Sequence, residues 1–373
     1  MNVLMKENEK WVDEVFDKIH KKLRKTAESS YDKIPYTTVN GVHDNKAETD
    51  ISWWTNGFWP GLMWLMYIHT KDEQYKKTAE HAEELLDKAL ADYDSLHHDV
   101  GFMWNMSSGV NYRLFGGKAS KNRFMFAANV LAGRFNPKGG FIRAWNGNTD
   151  GWTIIDSMMN IPLLYRASKE CGDTRFENVA RIHADTLMRT HMREDGSCNH
   201  IVKIDTETGE VLENFGGQGY EEGSSWSRGQ SWALYGYILS YIHTGDEKYL
   251  NTAKRAANYF IANVALTDYL PLTDFRAPRE PYVIDTTAGA CAACGLIEIS
   301  RAVPENEGRM YLDAAFRMLH ALEKHCDFTD DTESLLQDGM EKYHDSSEMP
   351  IIYGDYFFVE ALYKLKGHEL LSW

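Results

Sequence analysis

Two aspartates have surroundings that suit acid–base chemistry. Asp156 follows Ile154 and Ile155 and precedes two methionines, so burial is expected to raise its pKa and keep it protonated as a general acid. Asp99 lies directly before an apolar run and offers a second carboxyl group. One protonated and one ionised carboxyl group are the usual pair in glycoside chemistry. The two residues are therefore candidates for an acid–base pair.

Both aspartates also have a structural interpretation. The spacing from Thr153 to Asp156 fits a capping box, in which the helix dipole favours an acidic residue. Asp99 could cap a helix that begins near Val100, which is a common role for an aspartate in that position. From the local sequence alone, both interpretations stay open.

A metal site is the next possibility to weigh. His97 and His98 precede Asp99, but adjacent side chains on an irregular segment rarely converge on one ion, and no His-x-His or His-x-x-x-His spacing accompanies them. Cys291 and Cys294 form a Cys-x-x-Cys pair among small residues, which indicates helix packing rather than zinc or redox chemistry. We expect neither a metal nor another cofactor.

A short repeated sequence marks the helices that would hold these side chains. Residues 71–75, 172–176 and 245–249 are near-copies, and each links an apolar helical run to an amphipathic one. Such self-similarity is typical of stacked helix–turn–helix units. Every second helix is therefore expected to begin on the same side of the molecule.

Helical periodicity extends this pattern over the whole chain. Six charge-rich amphipathic runs alternate with six that are more apolar or built of small residues. The amphipathic runs are 6–26, 72–91, 119–134, 173–191, 246–264 and 307–326; the apolar runs are 57–69, 100–115, 153–170, 228–243, 286–302 and 353–366. Six buried helices inside six half-exposed ones predict an all-α (α/α)6 toroid. A small β-hairpin insertion is expected near 198–212, and residues 1–373 are expected to form a single catalytic domain.

Polar and aromatic residues gather where the inner helices begin. Residues 50–59, 97–104, 151–156, 223–232, 285–288 and 353–356 are the six segments concerned, and a toroid would bring them to one end of its cavity. Tryptophan faces stack on sugar rings, while carboxylates and amides bind hydroxyl groups. A helical-repeat binding scaffold would instead spread its polar residues along a concave surface. The clustering therefore favours a sugar-binding enzyme.

Charge and composition exclude several partners. The net charge is −15 with no basic stripe, which argues against nucleic acid and anionic membranes. No apolar run approaches the roughly 18 residues of a membrane span. The first nine residues include Glu7 and Glu9, where a signal peptide needs a hydrophobic stretch, and the five cysteines are scattered, so we expect a cytoplasmic protein.

Four motifs, in order and at consistent spacing, match a known family. Residues 96–102 (LHHDVGF), 153–164 (TIIDSMMNIPLL), 223–232 (GSSWSRGQSW) and 353–362 (YGDYFFVEAL) together resemble the unsaturated glucuronyl hydrolases of glycoside hydrolase family 88. The likeness runs from about Trp53 to Leu365, and the family has an (α/α)6 barrel. Asn56 is a departure, because many relatives have aspartate there.

The resemblance implies an unusual hydrolysis. These enzymes hydrate the C4=C5 double bond of the unsaturated uronic acid that polysaccharide lyases leave at the non-reducing end of oligosaccharides, and the product then expels the remaining sugar. By position, Asp156 matches the acid/base residue and Asp99 the second essential aspartate, which contacts ring hydroxyls. The residues that align with substrate-binding or water-positioning places are Trp54, Trp145, His200, Gln218, Trp226, Arg228 and Trp232.

Several alternatives remain beside this interpretation. Trp145 and Trp232 could be packing residues, and His200 could be a structural histidine. The unsaturated rhamnogalacturonyl hydrolases share the fold and reaction but act on pectin fragments. An inverting glycosidase could use Asp99 and Asp156 as its acid and base. A sugar isomerase or epimerase is less favoured, because it would need a histidine pair facing the cavity.

Overall fold

The computed structural model describes residues 2–344, 346–369 and 371–373. The helices in chain order are α1 (Asn2–Ser29), α2 (Lys46–Thr49), α3 (Phe58–Thr70), α4 (Glu73–Leu85), α5 (Val100–Trp104), α6 (Ser108–Phe115), α7 (Lys118–Gly133), α8 (Pro162–Cys171), α9 (Thr174–Thr190), α10 (Ser227–Thr244), α11 (Glu247–Val264), α12 (Thr286–Ala302), α13 (Glu305–Glu323) and α14 (Ile352–Leu365). Two 3-10 helices cover Leu86–Ala91 and Ile155–Met159.

The helices form two concentric rings. Within the described residues, α1, α4, α7, α9, α11 and α13 form the outer ring, and α3, α5 with α6, α8, α10, α12 and α14 form the inner ring. Consecutive inner and outer helices pack in pairs, and α14 packs against α3 to close the ring. The inner helices are the more deeply buried ones; every residue of α10 from Ser227 to Ser240 is buried. The predicted (α/α)6 architecture is confirmed.

The repeated segments are the turns between paired helices. The residue that ends the inner helix is left-handed at Lys71, Gly172 and Gly245, with φ of 60°, 70° and 68°. The aspartate that follows caps the outer helix; the Asp72 side chain, for example, accepts a hydrogen bond from the backbone N–H of Gln74. The aromatic residue three positions after the aspartate, such as Tyr75, is buried. Each repeat therefore fixes a reversal of the chain.

The helix predicted over 153–170 is wrong in its first half. Residues 152–154 form a strand, the 3-10 helix Ile155–Met159 follows, and α8 begins only at Pro162. The β-branched Thr153 and Ile154 pair with a neighbouring strand, and Thr153 Oγ1 donates to the Val202 carbonyl oxygen at 2.8 Å. Proline is well suited to the first turn of a helix, so α8 begins there.

The helix predicted over 100–115 is interrupted. It consists of α5 and α6, which are separated at Asn105–Ser107. The Arg113 guanidinium donates to the Asn105 carbonyl oxygen at 2.7 Å, which takes up an acceptor that a continuous helix would use. The pattern of apolar residues did not reveal this side-chain competition.

The short strands are β1 (Thr38–Val39), β2 (Val42–His43), β3 (Phe135–Asn136), β4 (Phe141–Ile142), β5 (Trp152–Ile154), β6 (Ile201–Ile204) and β7 (Val211–Phe215). The predicted hairpin is β6 with β7, and it extends to Phe215 rather than ending at 212. β5 adds a third antiparallel strand in the order β5–β6–β7. The described helices include none that is long and apolar enough to cross a membrane.

Candidate active site

A cavity of about 380 Å³ opens at the ends of the inner helices. Both aspartates and three of the predicted binding residues line it. Its walls are Asp50, Ser52, Trp53, Trp54, Ser95, His97, His98, Asp99, Trp145, Ile154, Asp156 and Gln218. Carboxyl groups, indole faces and an amide therefore meet in one hollow, which is the composition that a sugar site needs.

Asp156 lies on the 3-10 helix Ile155–Met159 and faces this cavity. Its side chain is 13% exposed, and Oδ1 is buried with no hydrogen-bond partner among the residues that the structure describes. Burial, and then the nearby charge of Asp99, raise the pKa of Asp156 from 3.8 to about 8. Because the residue caps no helix, the capping-box interpretation is not supported.

Asp99 occupies the position before α5, but its side chain makes no capping hydrogen bond. Instead, Asn160 Nδ2 donates to Asp99 Oδ1 at 2.9 Å, while Asn160 Oδ1 accepts from the backbone N–H of Phe102 at 2.8 Å. Burial raises the pKa of Asp99, and the neighbouring His97 opposes that shift. Asn160 therefore fixes the direction of the second carboxyl group.

The two histidines before Asp99 approach it more closely than their irregular segment predicts. One potential ligand atom from each of His97, His98 and Asp99 lies within 4.8 Å of the others. The three ligand atoms are therefore closer together than the irregular segment indicated, and the expectation that no metal binds here stays a prediction. His98 Nδ1 lies 2.7 Å from the Ala144 carbonyl oxygen, which only accepts, so Nδ1 carries the proton and Nε2 faces Asp99 Oδ1 at 3.2 Å.

His200 lies beside Asp156 just before β6. His200 Nδ1 lies 2.9 Å from the backbone N–H of Gln218 and 3.3 Å from the Gly216 carbonyl oxygen. Because the shorter contact is to a donor, we assign Nδ1 as the acceptor and place the ring proton on Nε2, 3.6 Å from Asp156 Oδ1. Burial lowers the pKa of His200 to about 3, so the ring is neutral. Gly217 has φ of +61°, and a Cβ atom there would lie 2.2 Å from Nδ1. A glycine is therefore required for this approach.

Three predicted binding residues lie behind the cavity wall. The Arg228 guanidinium pairs with Asp285 at 2.7 Å and lies 4.4 Å from the centre of the Trp226 ring, which in turn packs against His200 with 4.3 Å between ring centroids. Trp232 is fully buried in the core. Trp226, Arg228 and Trp232 therefore do not line this cavity, and they pack behind the residues that face it. Their part in substrate binding stays a prediction.

Other wall residues were not among the predicted binding residues. Trp53 is one of them, and its position next to Trp54 in the polar segment 50–59 was the available signal. Ser95 carried no comparable signal, because it lies in a plain loop. Asn160 does not line the cavity; it acts through Asp99, and it lies within the motif 153–164. Packing between segments that are distant in sequence brings these residues together at the site.

The double ring of helices and the Trp-lined cavity with two carboxyl groups define a sugar-active hydrolase of the (α/α)6 class. No family model matches the sequence. The chain is 35% identical over 349 residues to the unsaturated glucuronyl hydrolase of Bacillus sp. strain GL1. The aligned residues make up 90% of this chain and 91% of the relative. It is 32% identical to the unsaturated chondroitin disaccharide hydrolase of Streptococcus pneumoniae R6, and the alignment covers 97% of this chain and 93% of that relative.

Solved structures agree with the sequence comparison. The unsaturated glucuronyl hydrolase of Streptococcus agalactiae superposes with a TM-score of 0.88 at 31% identity, covering 97% of this chain and 93% of that one. A variant of the same enzyme, solved in complex with dGlcA-GalNAc6S, gives a TM-score of 0.81 at 30% identity, with 96% and 93% covered. The chain belongs to the unsaturated glucuronyl hydrolase family.

Proposed function

We propose that the protein hydrolyses oligosaccharides with a 4,5-unsaturated uronic acid at the non-reducing end, by hydrating the C4=C5 double bond. The observation that carries this proposal is the Asp156 carboxyl group, which faces a Trp-lined cavity and whose pKa is raised to about 8. A carboxyl group that stays protonated at neutral pH can deliver a proton to a carbon atom.

The reaction proceeds by acid catalysis at a vinyl ether. The Asp156 carboxyl group transfers its proton to C4, and positive charge develops at C5 and the ring oxygen. Water adds to C5 and returns a proton to the Asp156 carboxylate. The resulting hemiketal opens to a C5 ketone, C1 becomes an aldehyde, and the rest of the sugar leaves as an alcohol. The reaction consumes one water molecule, and a proton from that water replaces the one that Asp156 gives to C4.

The neighbouring side chains have separate parts in this scheme. Asp99, fixed by Asn160, binds ring hydroxyls, and in its ionised form it stabilises the developing positive charge. The Nε2–H of His200 orients the attacking water beside Asp156. Trp54 and Trp145 provide aromatic faces for the sugar rings, and Gln218 supplies an amide at the wall.

The relatives suggest the substrate class. One relative is named for chondroitin disaccharides, and another was solved with an unsaturated glucuronyl unit joined to a sulfated amino sugar. We propose unsaturated glycosaminoglycan disaccharides as substrates. The test follows the ultraviolet absorbance of the conjugated double bond in lyase-treated chondroitin, heparin and pectin oligosaccharides. Loss of absorbance with chondroitin or heparin products supports the proposal, and activity on pectin products alone contradicts the substrate class.

The pKa of Asp156 predicts a basic limit to activity. Because the protonated form of Asp156 is the catalyst, kcat/KM is expected to fall tenfold per pH unit above about pH 8. At acid pH it is expected to fall as well, because the mechanism needs Asp99 in its ionised form. A pH profile of kcat/KM at constant ionic strength measures the basic limb. An activity that rises through pH 8 would contradict the assignment of Asp156 as the acid.

Trp145 is expected to affect binding more than chemistry. Trp145→Ala removes an aromatic face from the cavity, and the loss of about 1 kcal/mol of stacking raises KM roughly fivefold. Steady-state kinetics measure the change in KM. Trp11→Ala is the matched control, because Trp11 packs on Phe316 at the outer ring and its loss should leave KM unchanged. An unchanged KM in Trp145→Ala contradicts this role.

Two further expectations from the sequence stand as proposals. We propose that the chain forms one catalytic domain, because helix pairing runs from α1 to α14 around a single closed ring. We also propose a cytoplasmic location, which the five free cysteines support. Cooperative single-step unfolding tests the first proposal, and cell fractionation tests the second.

A further inference from the structure

The 3-10 helix that carries Asp156 is short and is held by hydrogen bonds to its neighbours. The Ile155 N–H donates to the His200 carbonyl oxygen at 3.1 Å, and Asn160 Nδ2 donates to the Asp156 carbonyl oxygen at 3.4 Å. The 3-10 helix has five residues, and no side chain caps its start at Ile154. Short 3-10 segments have poorer hydrogen-bond geometry than an α-helix. Because no described residue forms a hydrogen bond with Asp156 Oδ1, the direction of the carboxyl group depends on where the backbone of this segment is fixed.

A buried histidine on the outer ring provides a further anchor, at the residue next to Asp156. His183 belongs to α9 and is 0% exposed. Its Nε2 lies 2.7 Å from the Ser157 hydroxyl, and its Nδ1 lies 3.0 Å from the backbone nitrogen of Ile142. The Ser157 hydroxyl lies 2.6 Å from the Ile154 carbonyl oxygen. All of these contacts are buried.

The donors and acceptors in this series of hydrogen bonds through His183 have one consistent arrangement. The backbone N–H of Ile142 only donates, so His183 Nδ1 accepts and the ring proton is on Nε2. Nε2–H donates to Ser157 Oγ, and the Ser157 O–H donates to the Ile154 carbonyl oxygen. Burial, with the neighbouring His191 and His98, lowers the pKa of His183 far below its usual range, so the ring is neutral.

The anchor joins two walls of the cavity. Ser157 follows Asp156 in sequence, and Ile142 ends β4, three residues before Trp145. One imidazole on the outer ring is therefore bonded to both the acid-bearing 3-10 helix and the segment that leads to an aromatic wall.

We propose that His183, acting through Ser157, is a positioning residue that sets the direction of the Asp156 carboxyl group. His183 does not line the cavity and touches no reacting atom. This inference rests on the proposed function, in which Asp156 is the acid. A displacement of about 1 Å at a catalytic group can lower the rate about a hundredfold, so such an anchor has a measurable effect.

Two substitutions of His183 separate its two hydrogen bonds. The amide nitrogen of His183→Gln can reach the Nε2 position and donate to Ser157, whereas the amide oxygen of His183→Asn can reach the Nδ1 position and accept from Ile142. We expect His183→Asn to lower kcat about tenfold or more with KM within about twofold of the wild type. His183→Gln is expected to retain at least about a third of the wild-type kcat.

Ser157→Ala provides a second route, because it removes only one hydroxyl group. It should lower kcat about as much as His183→Asn, and the double variant should be no slower than either single variant. Equal kcat in the Gln and Asn variants at equal Tm, or a wild-type kcat in Ser157→Ala, overturns the inference. If Asp156→Asn is inactive while Ser157→Ala is fully active, only this inference fails; an active Asp156→Asn refutes the proposed function itself.

Discussion

Asp156→Asn is expected to lower kcat/KM about a thousandfold or more while the protein stays folded. The substitution removes the only proton that the proposed mechanism delivers to C4, and general acid catalysis of this kind contributes about 10²–10⁴-fold. The amide keeps the size of the side chain, so the cavity should keep its shape. Steady-state assays of the double-bond absorbance measure the loss.

The same substitution is expected to raise stability. The folded pKa of Asp156 lies above the unfolded value of 3.8, so ionisation opposes folding, and stability from this residue is lost as pH rises from 3.8 to about 8. An asparagine does not ionise. We expect the Tm of Asp156→Asn to exceed that of the wild type by about 2 °C or more near pH 8, and by little near pH 4.

The matched control for this variant is Asp150→Asn. Asp150 lies in the preceding loop, its side chain is 81% exposed, and it pairs with Arg143 outside the cavity. Its loss should leave kcat/KM within about threefold of the wild type. Substantial turnover in Asp156→Asn, or equal losses in both variants, contradicts the account.

Asp99→Asn is expected to have the second-largest effect, a loss of about a hundredfold in kcat/KM. The amide oxygen can still accept from Asn160, so the fold around the residue should persist. The negative charge that helps to stabilise the transition state is absent. Because the charge of Asp99 also raises the pKa of Asp156, the basic limb of the pH profile should move to lower pH.

The pH profile of the residual activity of Asp99→Asn distinguishes the loss of the negative charge from a change in the shape of the cavity. Asp94→Asn is the control, because Asp94 is exposed in the loop before the histidines and does not line the cavity. It should leave both the rate and the position of the basic limb unchanged. A limb that moves to higher pH in Asp99→Asn, or an activity close to that of the wild type, contradicts the assigned interaction between the two carboxyl groups.

The ring of helices was predictable because its signals are local. The aspartate caps and left-handed residues of the three repeated turns, such as Gly172 and Asp173, specify the reversals wherever they occur in the chain. Apolar periodicity then separates inner from outer helices. Both signals depend only on neighbouring residues, and they sufficed for the (α/α)6 architecture.

The details of the site were less predictable because they depend on distant partners. The segment around Asp156 has the period of a helix, but pairing with β6 makes its start a strand. Arg228 and Trp232 lie in a conspicuous motif, yet Asp285 and the core hold them behind the wall. Local patterns identify which residues matter, and tertiary contacts decide which of them face the cavity.

Hydration of the double bond is tested most directly by running the reaction in D₂O. The account predicts that the product carries one deuterium at C4, on one face, and that ultraviolet absorbance falls as the second sugar is released. Product formed in H₂O and then held in D₂O for the same time controls for exchange. A released uronic acid that keeps its double bond and has no deuterium at C4 would contradict the account.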